Sequence, residues 1–171
     1  TLDIAYPGDI IGVINPSLFA IGDTLSITGG FNFKALPQFQ PENFARLQPK
    51  DVGKRKAFDK GIVQLVDEGA IQLLHSYNQE KDLIFAAVGK LQFEVMQYRL
   101  EDEYGVETIL TLLPYQCSAW LLGDPNTFSK STTAILVQDR KDRLMVLFSS
   151  VWDKQYNIKQ NPHHQLVDVL F

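Results

Sequence analysis

Between Lys60 and Glu107 the hydrophobic period changes from helical to extended and back to helical, with a glycine at each change. Phe58, Ile62, Leu65 and Val66 fall at i, i+4, i+7 and i+8, one apolar face of a 3.6-residue period. Gly69 then ends this helix, because glycine takes the left-handed C-terminal position without a Cβ clash. Ala70 to Tyr77 is a short, mostly apolar run, and Asn78 to Asp82 is polar and turn-like. Leu83 to Val88 suits a strand buried on both faces, and Gly89 breaks it. Phe93, Met96, Leu100 and Tyr104 restore helical spacing up to a second terminating glycine, Gly105. A strand is expected on each side of this block, at Asn43 to Gln48 and at Glu107 to Leu113.

Toward the C-terminus the reading continues as strands at Gln116 to Leu122, Ala134 to Gln138 and Arg143 to Phe148. Gly123-Asp124-Pro125-Asn126 is a turn able to cap a short helix, and Asp139 to Asp142 is a charged hairpin connection. A helix starts near Ser150 and stops at Pro162, and Gln165 to Phe171 is a last strand. Residues 43–113 thus spell βαββαβ, and residues 115–171 spell it again without detectable sequence identity. On the N-terminal side, Pro7-Gly8-Asp9 and Asn15-Pro16 are turn signals around the run Ile10 to Ile14, and Ile21 to Leu25 leads into another strand. Gly29 to Pro41 reads as a linker with apolar anchors.

The single cysteine, Cys117, makes an internal disulfide impossible and argues against a cysteine-based zinc site. No run approaches the roughly 18 apolar residues of a membrane span, and no signal peptide is visible. Net charge is −4, so no global affinity for nucleic acid follows. Against that acidic background, Lys50, Lys54, Arg55, Lys56 and Lys60 form a local charge reversal. It supports two readings: a phosphate-contacting patch, or the solvated first turns of an amphipathic helix. Asp102-Glu103-Tyr104-Gly105 fits D-x-x-G in form only, because it falls on a helix end. His163-His164 lacks a carboxylate or cysteine at ligand spacing, so no metal site is expected, and no catalytic constellation is found.

The central block also carries a resemblance. Lys60-Gly61, Val63-Gln64-Leu65, Glu68-Gly69-Ala70, Asp82-Leu83-Ile84, Ala87-Val88-Gly89, Leu91-Gln92-Phe93, Arg99-Leu100, Glu103-Tyr104 and Val106-Glu107 resemble the C-terminal domain of the bacterial class II peptide chain release factors, release factor three, a family of translational GTPases. The pattern AVGxLQFxVxxxRLxxEY is its specific part, and the likeness runs from about Pro7 to about Trp120. The N-terminal PGDIIGV…IGDTL is similar to the last strands of the β-barrel second domain of these GTPases.

The resemblance implies an α+β fold: a ferredoxin-like βαββαβ core followed by a second α/β unit of similar order, preceded by a short β segment from an incomplete β-barrel. In domain terms, 1–34 would end the β-barrel and 35–171 would be the ribosome-contacting C-terminal domain, with possible halves 43–113 and 115–171. It implies a cytoplasmic, non-catalytic fragment, to which the lack of an initiator Met adds weight, with its GTPase domain upstream. The whole factor would use GTP to release class I release factors from the ribosome, and this part would bind the small subunit, both RNA and ribosomal protein, and convey the GTPase state. Lys50, Lys54, Arg55, Lys56 and Lys60 become candidates for ribosomal RNA, and Gly89, Lys90 and Gln92 for facing the GTPase domain. Gly89 is expected to need positive φ or a close backbone approach. GTP and magnesium belong to the upstream domain: this chain has no GxxxxGK[ST] loop and no N-K-x-D motif. The competing reading is a regulatory domain in which two ferredoxin-like units pair and sense a small molecule at their interface.

Overall fold

The computed structural model describes residues 3–14, 18–19, 21–34, 38–77 and 79–170. Regular structure begins with β1 (Gln38–Phe39) and β2 (Asn43–Pro49), followed by a 3₁₀ turn (Val52–Lys54) and α1 (Arg55–Asp67). β3 (Gln72–Ser76), β4 (Gln79–Ala87), α2 (Leu91–Tyr104) and β5 (Thr108–Leu112) complete the first half. β6 (Cys117–Leu122), β7 (Ile135–Asp139), β8 (Leu144–Phe148), α3 (Val151–Gln160), β9 (Gln165–Val167) and β10 (Val169–Leu170) make the second. The molecule is α+β, as expected.

Eight strands join in one antiparallel sheet of order β5-β2-β4-β3-β7-β8-β6-β9. The halves meet at β3 and β7, where Leu74 pairs with Asp139 and Ser76 with Val137. β1 and β10 form a separate two-stranded clasp, Gln38 opposite Leu170 and Phe39 opposite Val169.

Strand alternation sorts the side chains into three cores. Ala45, Leu47, Phe85 and Ala87 point to one face and pack under Phe58, Ile62 and Leu65 of α1 and Phe93, Met96 and Leu100 of α2. Their neighbours Phe44, Ile84 and Ala86 point to the other face and meet Trp120, Val137, Met145 and Leu147 of the second half. A single sheet whose halves share a core in this way folds back on itself. The third core, Ala119, Leu121, Val146 and Phe148, lies on the far side of the second half under Phe128 and Ala134. The run Leu83 to Val88 was apolar without alternation because β4 is covered on both sides.

The glycine punctuation holds at both helix ends: Gly69 has φ +71° and Gly105 φ +65°. A third glycine works differently. A Cβ on Gly61 would come within 2.6 Å of Leu100 and 3.0 Å of the Tyr104 ring, so its missing side chain sets how closely α1 approaches α2.

Several expectations need correction. The turn at Pro7-Gly8-Asp9 forms, Asp9 N–H donating to the Tyr6 carbonyl at 3.0 Å. No strand forms among the described residues before Gln38, although strands were expected at Ile10–Ile14 and Ile21–Leu25. A strand exists only where another backbone pairs with it, and the described residues offer none there; Ile10, Ile14 and Ile27 are fully exposed. The Asn15-Pro16 turn lies outside the described residues.

The Gln79–Asp82 stretch, read as a turn, is the start of β4, recruited by pairing with β3. The linker contains β1, a strand of two residues too short to leave a period. The second half is not βαββαβ, because no helix lies between β6 and β7. Asp124 accepts the Asn126 N–H at 2.9 Å and closes a turn there. The following polar residues are held by side chains of α3 rather than by their own backbone. The last strand is split in two at Asp168, whose carboxylate pairs with Lys154 at 2.6 Å.

Candidate functional site

The basic stretch begins where β2 ends and the chain turns into α1. Asp51 accepts the Gly53 N–H at 2.8 Å and starts the 3₁₀ turn. The positive side chains that follow divide into two groups. Lys50 is paired at 2.7 Å with Glu107, which stands just before β5. Its hydrogen bond to Glu107, with the carboxylate's charge, raises the Lys50 pKa, and Lys50 lowers that of Glu107 in turn. Lys54 donates to the Gly105 carbonyl at 2.5 Å, so its ammonium stands at the C-terminus of α2, where the helix dipole favours a cation. Arg55 bonds Asp59 at 2.9 Å and lies over the Phe58 ring. Lys56 and Lys60, one turn apart, are exposed and have no hydrogen bond or ion pair among the described residues.

At the other end of α1, four side chains tie the two helices together. Arg99 of α2 binds Glu68 at 2.5 Å and Glu103 at 2.5 Å, and Glu68 also accepts from Gln64 at 3.0 Å. Hydrogen bonds from Arg99 hold both carboxyls below the usual glutamate range, and Glu103 and Glu68 push the guanidinium well up. Beneath the helix start, β2 keeps only three paired residues with β4 before the strands part. The gap is an open cleft of about 330 Å³ lined by Arg46, Gln48, Arg55, Phe58 and Leu83 among others.

The second candidate group lies at the turn from β4 to α2. Gln92 is fully engaged inside the molecule. Its Oε1 accepts the N–H groups of Val88 and Gly89, both at 3.0 Å, and its Nε2 donates to the Ala70 carbonyl at 3.1 Å. Asn43 Nδ2 secures the same turn through the Val88 carbonyl at 2.8 Å. Gly89 has neither positive φ nor any atom within 4 Å of an added Cβ, contrary to expectation. A glycine between a strand and a helix looks like a conformational requirement in sequence, but here Gln92 fixes the turn. Lys90 is exposed, flanked by exposed Val88 and Leu91.

Sequence reasoning missed a third group. On α3 and its C-cap, Asp153, Asn157 and Asn161 recur every four residues and face inward. Asp153 accepts from Ser131 at 2.5 Å, Thr133 at 2.9 Å and Ser149 Oγ at 3.1 Å. Burial works to raise its pKa, but these hydrogen bonds outweigh burial and leave it lowered. Asn157 accepts the Ser131 N–H at 2.9 Å, and Asn161 accepts the Ser129 N–H and donates to its carbonyl, both at 2.8 Å. The signal was present as a polar period of four, but polar periodicity is ordinarily the solvent face of a helix.

Among the described residues no three histidine, cysteine or acidic side chains gather to hold a metal ion. His164 instead meets Thr127 Oγ1 and the Asp124 carbonyl, both at 3.1 Å. The interface at which a small molecule was considered is filled by Phe44, Leu74, Ile84, Trp120, Met145 and Leu147, all almost wholly buried. No helix among the described residues is long and apolar enough to cross a membrane.

Fold and surface together define a mixed α+β domain whose basic stretch lies at the start of α1 and whose sheet interface is closed. Residues 33–157 match the family described as Class II release factor RF3, C-terminal domain, and the chain belongs to that family. Relatives named Peptide chain release factor 3 include those of Nostoc punctiforme (44% identical over 97% of the chain), Gloeobacter violaceus (43% over 99%) and Symbiobacterium thermophilum (46% over 92%). The chain spans only 31%, 33% and 30% of those relatives' lengths.

Proposed function

We propose that this chain is the non-catalytic, ribosome-contacting C-terminal part of a cytoplasmic translation-termination GTPase that promotes departure of class I release factors from the ribosome. The observation that carries the reading is the family match across 33–157, joined to relatives that bear the release-factor name at over 40% identity. GTP and magnesium belong to an upstream GTPase domain, in keeping with the lack of a phosphate-binding loop in this sequence.

Residues 1–34 are the end of a β-barrel second domain, and the exposed apolar residues before Gln38 suit burial against its other strands. Lys56 and Lys60 are the strongest candidates for ribosomal RNA, since Lys50 and Arg55 already face carboxylates. At the other end of the helix pair, Lys90 contacts the GTPase domain directly, and Gln92 and Gly89 hold the turn that presents it. The Arg99 pairing with Glu68 ties α2 to the C-terminal end of α1, which suits a part that conveys the GTPase state through its helix pair.

The test is sedimentation of the chain with small ribosomal subunits, alongside calorimetric titration with GTP. Saturable binding to subunits and no heat of GTP binding are expected. Saturable GTP binding, or no subunit association by either the chain or the full-length factor, would overturn the reading.

A further inference from the structure

Helix α3 is built inside out. Its buried side is polar: Asn157 is wholly buried, Asn161 nearly so, and Asp153 is bonded inward. Its outer side carries Trp152, 87% exposed, and Tyr156, 54% exposed, one helical turn apart. Gln155 lies between them and Lys159 one turn further on, both exposed. A helix normally turns its aromatic residues to the core and its amides to water. Here the amides of Asn161 and Asn157 fasten the helix through Ser129 and Ser131, and the Asp153 carboxylate through Thr133, so the aromatic rings are left outside. The fastening also makes the platform rigid, with Ser150 capping the first turn by accepting the Asp153 N–H at 3.1 Å.

The charge on this face has one sign. Asp153 is the only acidic residue of α3 and is turned inward, while Lys154 is taken up by Asp168 and the Ser118 carbonyl. From Val151 to Gln165 the exposed residues include Lys159 and His163 and no carboxylate. In a chain of net charge −4 this face is left without negative charge. Two planar side chains rooted about 6 Å apart along the helix axis suit two splayed bases, with an ammonium one turn on for the phosphate that follows.

We propose that the Trp152–Tyr156–Lys159 face of α3 is a stacking site for unpaired bases of RNA. It rests on the ribosome-contacting reading above and adds a second contact, distinct in chemistry from Lys56 and Lys60. Unpaired RNA is the form whose bases are free to stack on side chains, whereas a duplex keeps its bases within the stack.

Trp152 is its own reporter, because the other tryptophan, Trp120, is 1% exposed. The chain is titrated with a 12-nucleotide single-stranded RNA and with a duplex of equal length, following tryptophan emission and its quenching by acrylamide. Saturable loss of emission and protection from acrylamide are expected with the single strand and not with the duplex. Tyr156→Leu should weaken single-strand binding about five-fold or more with Trp152 still reporting, and Trp152→Leu should abolish the optical change. Thermal melts should leave both variants folded, since neither side chain is buried.

No change with single-stranded RNA, or equal affinity in Tyr156→Leu, would overturn the site. So would protection of Trp152 by purified ribosomal proteins and not by RNA, which would make this a protein-docking face. If Lys56→Gln with Lys60→Gln weakens subunit binding while Trp152→Leu and Tyr156→Leu do not, the stacking site fails and the ribosome-contacting reading stands. If the chain ignores ribosomal subunits but takes up single-stranded RNA through Trp152, the reverse holds.

Discussion

Gly61 and Gly89 show how differently two glycines of one motif are used. At Gly61 the obstacle is the partner helix, with Leu100 wholly buried behind it. Gly61→Val should therefore force the α1–α2 pair apart and cost about 1–3 kcal/mol, the usual penalty of overpacking. Gly89 has open space and ordinary backbone angles, so Gly89→Ala should stay within about 0.5 kcal/mol. Urea denaturation of both variants checks the pair, and a costly Gly89→Ala beside a neutral Gly61→Val would reverse the assignment. The same turn depends on Gln92, which satisfies two backbone N–H groups and one carbonyl.

Among elements, the helix pair and α3 respond to different perturbations. The Arg99 bonds to Glu68 and Glu103 are strongest when both carboxyls are ionised. Their folded-state pKa values lie below the unfolded value of about 4.3. Their contribution is therefore fully present above that value and is lost as pH falls through the depressed folded values. Denaturant midpoints measured from pH 6 down to pH 3 should show that loss, and Arg99→Gln should flatten it. These groups are partly exposed, so salt should also reduce the effect. α3 depends on shape instead: Asn157→Leu leaves the Ser131 N–H unpaired and should cost about 1–3 kcal/mol, read by thermal or urea melting.

The elements also differ in how far the sequence disclosed them. α1 and α2 were legible because their apolar residues obey one period and glycines mark their ends, and the interior of β4 because it is an unbroken apolar run stopped by Gly89. The Gln79–Asp82 part of β4 was not, since only its pairing with β3 makes it a strand. α3 was placed correctly, between Ser150 and Pro162, yet its orientation was hidden. Burial of Asn157 and Asn161 becomes visible only once the Ser129–Thr133 segment is seen to lack its own secondary structure. Of the candidate contacts, the exposure of Lys56 and Lys60 followed from helical position. The capture of Lys50, Lys54 and Gln92 by groups far along the chain did not.

At the scale of the whole molecule, the surface charge is less concentrated than the run Lys50 to Lys60 suggests. Replacing Lys56 and Lys60 together with Gln should weaken ribosome binding and flatten its dependence on salt, since fewer counterions are released. Lys50→Gln should do less to binding, because Glu107 already occupies that ammonium. Subunit sedimentation at two salt concentrations measures both, and equal effects from Lys50 and the Lys56–Lys60 pair would refute the division.

The clasp of β1 with β10 fastens the first described strand to the last, Gln38 beside Leu170. A pull arriving from residues upstream of β1 is thus applied at once to the last strand and, through β9, to the sheet edge beside β6. These two strands lie side by side, in reach of a short covalent bridge. Joining them covalently and opening the chain instead at the exposed Arg140–Lys141 hairpin would reorder the sequence without moving an element, and such a rearranged chain should melt as one unit.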